Sequence, residues 1–392
     1  MSNDIRKGNL RHSQADPSQA GSLEPDSLLE RHTADSMDLL ERMLRIPALS
    51  RQENARADFL EAELAARGLA PERIGQNLIL RSEANPAWPW VWLVSHIDTV
   101  PPAAGWSVDP HAGSFQDGKL TALGANDAGG PLMAMLAAYR ALTANPPVTG
   151  ASPPAPPLRA NLLWIAAAEE EVTGQGGVRS LISHLPPANL ALVGEPTSLH
   201  AAVAEKGLLV IDGLVRGKAG HAARSEGQNA IYNALPDIQW FREYRFPDVS
   251  PHLGPMHMNL TVLHAGDKHN AVPDECRYTV DIRLTDTYTH EQVLQTVRAH
   301  VRADITPRST HLRPSATPAG HPVRRTLREL SIPEYGSPTL SDMSQIPYPA
   351  VKLGPGDSAR SHTADEYILA AELAAAARLY ADLLTRTYPP AP

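Results

Sequence analysis

Three apolar runs of strand length, residues 90–94, 162–167 and 190–193, and a fourth, short strand at 350–353 are each halted by a turn that carries a histidine or a carboxylate. The first leads into Ser95, His96, Ile97 and Asp98 ahead of Pro101 and Pro102, and the second runs into Glu169, Glu170 and Glu171. The third stops at Gly194, Glu195 and Pro196, and the fourth enters a glycine-rich stretch that reaches His362. An unbroken apolar run of this length between turn formers reads as a buried strand. In open α/β sheets ligands gather outside the carboxyl ends of the strands. A chain that repeats polar chemistry at its strand ends is therefore expected to build an α/β sheet with its site along one edge.

Each strand end also has a plain structural explanation. His96 and Asp98, two residues apart, point to the same side and can be packing groups as readily as a metal ligand and the carboxylate that orients it. Asp127 lies in the turn Gly124-Ala125-Asn126-Asp127-Ala128-Gly129-Gly130, ahead of a helix expected at 132–142. It can cap that helix or approach a bound cation. Three consecutive glutamates form a solvated acidic turn unless a cation or a proton relieves their repulsion. Strand alternation places Glu169 and Glu171 on one side and Glu170 on the other, and a turn would change that. Glu195 before Pro196 fits an ordinary turn. The recurrence, more than any single position, points to a site.

The chain has 392 residues, which suggests two domains. A formal charge of −8 without a basic block argues against a nucleic-acid surface, and no apolar run is long enough for a membrane span. The single cysteine, Cys276, excludes an internal disulfide and fits a reducing, cytoplasmic compartment. Residues 1–25 read as a mobile polar tail and the proline-rich 145–157 as a surface loop. Helices are expected at 27–44, 55–67, 323–330 and 367–384, and a further strand near 77–80. From 204 onward, strands at 208–215, 256–264 and 275–284 interleave with helices at 229–244 and 291–303. That order suggests a ferredoxin-like α+β unit at 204–314, inserted between 26–203 and 315–392. Inside it, His221, Asn270 and Arg283 each have a structural reading, as turn residues or, for Arg283, as the partner of Asp281.

Two histidines and several carboxylates without a thiolate favour zinc, cobalt or manganese over a soft metal. Five side chains fill six ligand places if one carboxylate bridges. Two such ions, about 3.5–4 Å apart, polarise a carbonyl and lower the pKa of water toward about 7. A remaining glutamate can take the proton, so hydrolysis of an amide is expected.

The ordered strings HIDTVPP (96–102), GANDAGG (124–130), EEEVTG (169–174), GEPT (194–197), GKAGH (217–221), NAVP (270–273) with DIR (281–283), and GPGDSARSHTADE (354–366) resemble the co-catalytic dizinc metallopeptidases. That family includes acetylornithine deacetylase, succinyl-diaminopimelate desuccinylase, aminoacylase and carboxypeptidase G. The resemblance covers about 27–384. It implies an α/β, zinc-peptidase-like catalytic domain with a mixed central sheet flanked by helices, plus an inserted ferredoxin-like dimerisation (lid) domain. It implies that His96, Asp127 and Glu195 hold one metal and that Asp127, Glu171 and His362 hold the other. Asp98 would orient His96. Glu170 would be the general base, although the triple glutamate can be read one position off. His221 would stabilise the oxyanion across a homodimer interface, and Asn270 and Arg283 would contact substrate. Gly129, where many relatives carry lysine, and Thr339-Leu340-Ser341-Asp342, where many carry Thr-Ser-Asp, depart from the pattern. The closing string most resembles deacylases of arginine and lysine biosynthesis. The expected substrate is a small N-acyl amino acid, N-acetylornithine or N-acetylcitrulline first. Release of lysine or ornithine from an amino-group carrier protein, a dipeptidase, and a non-catalytic binding homologue are the alternatives.

Overall fold

Along the strand Trp90–His96, successive side chains enter two different cores. Val91 and Leu93 pack with Leu162, Trp164, Leu190 and Leu192 on one face of the sheet; Trp92 and Val94 pack with Leu163, Ile165, Ala191 and Val193 on the other. A strand covered on both faces has no polar alternation, which is why these runs are apolar without a break. The computed structural model describes residues 25–144, 158–224 and 226–390. Residues 1–24 of the expected tail and the stretch 145–157 lie outside the described residues.

The strands Glu72–Ile74, Asn77–Ser82, Asn161–Ala167, Trp90–His96, Leu190–Val193, Ala350–Lys352, Ala201–Glu205 and Ser315–Ala316 follow one another across a nine-stranded sheet, with Glu334–Ser337 also paired to Ala201–Glu205. Pairing is parallel among Asn161–Ala167, Trp90–His96, Leu190–Val193 and Ala350–Lys352, and antiparallel at the outer pairs with Asn77–Ser82 and Ser315–Ala316. The helices Pro25–Leu44, Asn54–Ala66, Gly130–Thr143 and Ala370–Thr387 cover one face through Leu40, Leu60, Leu136, Tyr380 and their neighbours. Val178, Leu181, Met343 and Ile346 cover the other. The fold is α/β with a mixed central sheet flanked by helices. Among the described residues no helix is long and apolar enough to cross a membrane.

A second sheet has the order His257–His264, Glu275–Leu284, Gly207–Arg216, Asp304–Pro307, antiparallel throughout. With the helices Ala230–Glu243 and His290–His300, this is the ferredoxin-like order of elements. In Gly207–Arg216 buried and half-exposed residues alternate, so only one face meets the core of Leu209, Ile211, Phe241, Val280, Ile282 and Val297.

Two local expectations change. The chain leaves the large sheet at Lys206 rather than at 204, because Ala201–Glu205 is one of that sheet's buried strands. Tyr367–Leu369, expected to be helical, is a strand paired with Lys119–Thr121, and the last helix starts at Ala370.

Candidate metal centre

The four parallel strands end side by side, and the turns that follow them bring the polar residues together. His96 closes its strand with its side chain 1% exposed. Its Nε2 lies 3.2 Å from Asp127 Oδ1 and 4.0 Å from Glu170 Oε2. Its Nδ1 faces the carbonyl oxygen of Asp98 at 3.0 Å, with the Asp98 carboxylate further off at 3.4 Å. His362, much more exposed, has Nε2 3.1 Å from Glu171 Oε2 and 3.6 Å from Asp127 Oδ2. Three overlapping groups of donor atoms result: His96 with Asp127 and Glu195, Asp127 with Glu171 and His362, and His96 with Glu170 and Glu171.

The triple glutamate is a turn and not a continued strand. Glu169 has φ 55°, and residues Glu170–Val172 form one tight helical turn after it. Glu170 and Glu171 consequently face the site together, while the Glu169 carboxylate accepts from Gly176 N at 3.2 Å, away from it. Strand alternation therefore fails here, and the left-handed residue is the reason. The Asp98 carboxylate receives Glu170 N at 3.1 Å, Glu171 N at 3.2 Å and Ser50 Oγ at 2.7 Å. The Asp98 carbonyl is thus the nearer acceptor for His96, while the Asp98 carboxylate is taken up mainly by the glutamate turn and Ser50. Arg56, fully buried, donates to the carbonyl of Ile97 at 2.7 Å and so braces the residue between His96 and Asp98.

Asp127 sits in an irregular turn, Ala125–Gly129, entered through Gly124 at φ 80°. A Cβ at Gly124 would meet Thr99 Cγ2 at 2.7 Å, so both backbone conformation and space require glycine. Gly129 is equally confined: a Cβ there would lie 2.7 Å from the Gly124 carbonyl and from Leu40 Cδ1. A lysine has no room at that position in this backbone.

Electrostatics supports a cationic occupant. Burial, followed by repulsion from Glu195, pushes the Glu170 carboxyl well above its usual range. Burial and the Asp127 charge do the same to Glu195, moderated by His96 and Lys352. Burial opposes charge on His96, yet Asp127 and Asp98 outweigh it and hold the imidazole's pKa well above the ordinary value. The Glu171 contact raises His362 to about 9. So many carboxylates around two imidazoles form a hard oxygen and nitrogen donor set suited to divalent ions, whose binding displaces the imidazole protons.

The structure does not bring every expected residue to this cluster. His221 and Asn270 lie together on the second unit, where Gly220–His221 pairs with Ala271–Val272, and both are exposed. Arg283 pairs with Asp281 at 2.8 Å on the half-exposed face of the second sheet. None of the three belongs to a donor group. Other residues had no role in the sequence reading. Glu366 accepts from the backbone N–H of Gly124, Asn126 and Asp127 at 3.1, 2.8 and 2.9 Å. Lys352 and Glu205 form a buried ion pair at 2.7 Å, and Asp342, also buried, has its pKa raised to about 7 by burial. Glu366 was visible inside the string HTADE, but nothing in its spacing tells a cradled carboxylate from a solvated one.

A profile of the peptidase family M20/M25/M40 matches residues 92–386. An acetylornithine deacetylase of Myxococcus xanthus is 29% identical over 79% of this chain and 86% of its own length. A [LysW]-lysine hydrolase of Deinococcus radiodurans is 28% identical over 89% of this chain and 96% of its own. Among solved structures, a dinuclear metal-binding M20 peptidase of Bacillus subtilis superposes with a TM-score of 0.64 at 14% identity, covering 91% of this chain and 98% of that one. The chain belongs to the peptidase family M20/M25/M40 and is a metal-dependent amidohydrolase of that family.

Proposed function

We propose that this protein hydrolyses the amide bond of a small N-acyl amino acid, with N-acetylornithine or N-acetylcitrulline as the leading substrate. The observation that carries the reading is Asp127, whose two carboxylate oxygens lie beside His96 and His362, so that one residue belongs to two donor groups. We assign His96, Asp127 and Glu195 to one divalent ion and Asp127, Glu171 and His362 to a second, with zinc as the expected metal and cobalt or manganese able to replace it. Ions held by these residues would supply Lewis acidity to the amide carbonyl and to water near neutral pH.

Glu170 is the proposed general base. Its carboxylate lies beside the donor groups, 4.0 Å from His96 Nε2, where it can accept a proton from water and pass it to the leaving amine nitrogen. Asp98 keeps His96 in the tautomer with Nε2 facing the site and holds the glutamate turn in register. The inserted unit, which follows the strand Ala201–Glu205 and ends at about 314, is proposed as a lid and dimerisation domain. The edge strand His257–His264, with exposed Val262 and Leu263, and the helix Ala230–Glu243, with Tyr232 69% exposed, offer apolar surface to a second copy. His221, outside the cluster in its own chain, would reach the substrate oxygen of the partner, with Asn270 beside it and Arg283 contacting the substrate carboxylate.

A second reading is release of lysine or ornithine from a carrier protein, favoured by the longer match to the Deinococcus radiodurans relative. The −8 charge makes an acidic carrier the less favourable partner. Assay of zinc- or cobalt-loaded protein against acetylornithine, acetylcitrulline, a lysine-loaded carrier and a dipeptide panel separates these readings. Turnover confined to the carrier or to dipeptides would remove the deacetylase assignment.

A further inference from the structure

Glu366 is a buried carboxylate with no ion-pair partner among the described residues. Its three nearest donors are all main-chain N–H groups of one turn: Oε1 accepts from Asn126 and Asp127, and Oε2 from Gly124. Those amides open the turn Ala125–Gly129 after the strand Lys119–Thr121, so no preceding helical turn supplies them with acceptors. A buried carboxylate whose hydrogen bonds all come from peptide N–H groups is a costly way to brace a loop, since a neutral acceptor could serve two of the three amides. What distinguishes Glu366 is the loop from which it comes, which also carries His362. Asn126 ties the same two segments again, accepting Asp357 N at 3.1 Å and donating to Ser361 Oγ at 3.2 Å.

We propose that Glu366 is a positioning residue for the metal centre: it locks the main chain of Asp127 to the His362 loop, so that the shared carboxylate and the exposed histidine present their donors as one unit. This rests on the assignment of Asp127 as a shared ligand. His96 and Glu195 stand at the ends of buried strands and are held independently of Glu366. The group of Asp127, Glu171 and His362 has its histidine on an exposed loop in a left-handed conformation, φ 60°, and depends on that tie. Loss of Glu366 therefore weakens one metal more than the other.

Metal-free full-length protein is titrated with Co²⁺, read by its visible ligand-field absorption and by calorimetry. Two binding events are expected in the parent protein. Glu366→Ala weakens one of them by about 10- to 100-fold and leaves the other within a few-fold. Glu366→Gln, which keeps one acceptor oxygen, falls between. Asp237→Ala is the control, because Asp237 is an equally buried carboxylate that accepts Arg302 N and Ala303 N in the second unit. It should lower the melting temperature without moving either metal affinity. Parent-like Co²⁺ binding by Glu366→Gln and Glu366→Ala overturns the proposal, as does an equal weakening of both events that Asp237→Ala reproduces. If the alanine variant does not fold, the glutamine variant alone decides by the same criterion. Asp127→Asn separates the two levels: if it leaves both events unchanged, the ligand assignment itself falls, and this inference with it.

Discussion

Replacing Lys352 by methionine removes the ammonium from a pair whose side chains are 5% and 0% exposed. Glu205 then keeps two donors, Ser341 N at 2.9 Å and Ser341 Oγ at 2.7 Å, but no cation. Stranding a buried charge in this way costs about 3–5 kcal/mol. Glu205→Gln strands the ammonium instead, with only Thr339 O and Oγ1 at 3.2 and 3.3 Å to receive it, at about 2–3 kcal/mol. The double variant has no stranded charge, and its amide oxygen still accepts from Ser341, so about 1–2 kcal/mol is expected. The singles should therefore together exceed the double by a coupling of about 3–7 kcal/mol. Urea unfolding of chelator-treated protein measures it, with fluorescence of Trp92 and Trp164, both buried in the large sheet, as the signal. Additive singles, with coupling below about 0.5 kcal/mol, would refute a buried pair that is worth more together than apart.

Glu170→Ala should lower kcat by about 10²–10⁴-fold while metal content, read by elemental analysis, stays at the parent level; loss of a metal would move the base one position along the triplet. Subunits carrying His221→Ala mixed with subunits carrying Glu170→Ala should regain part of the lost activity, and no recovery would argue against a histidine acting across a dimer. Gly124→Ala should destabilise the fold and weaken metal binding together, since its methyl collides with Thr99 Cγ2, and an unchanged melting temperature would contradict that contact. His32 has its pKa lowered to about 4 by burial and by the Arg140 charge, with Arg31 adding to this and Asp35 opposing it. The unfolded chain takes up that proton first, so stability is lost as pH falls from about 6.5 toward 4. His32→Gln should flatten that segment of a melting-temperature profile.

Much of the fold was legible because burial on both faces leaves a plain signature. The runs at 90–94, 162–167 and 190–193 are apolar without interruption, and all three are interior strands. The donor residues were legible for a related reason: His96, Glu171, Glu195 and His362 follow strands whose ends must converge once the strands are parallel. What stayed hidden depends on backbone partners far away in sequence. Glu366 meets the amide of Gly124 across 242 positions, and Asp98 meets those of Glu170 and Glu171 across 72 and 73. The direction of the triple glutamate was hidden by one residue, Glu169, whose positive φ turns the strand into a helical turn. The three-residue strand Tyr367–Leu369 has too little periodicity to be told in sequence from the helix that follows it.

The strand Ala350–Lys352 lies inside the large sheet, between Leu190–Val193 and Ala201–Glu205. During synthesis both neighbours emerge long before it does, and the whole ferredoxin-like unit is made in the interval. At 5–20 residues per second the nascent sheet waits about 8–30 s with an open slot, lined on each side by unpaired peptide groups and flanked by apolar side chains. Such a slot accepts any extended segment, including the same strand from a neighbouring ribosome's product. Yield of native protein should therefore respond to holdase chaperones and to slower, cooler expression more than its final stability would suggest, with strand exchange as the characteristic misassembly.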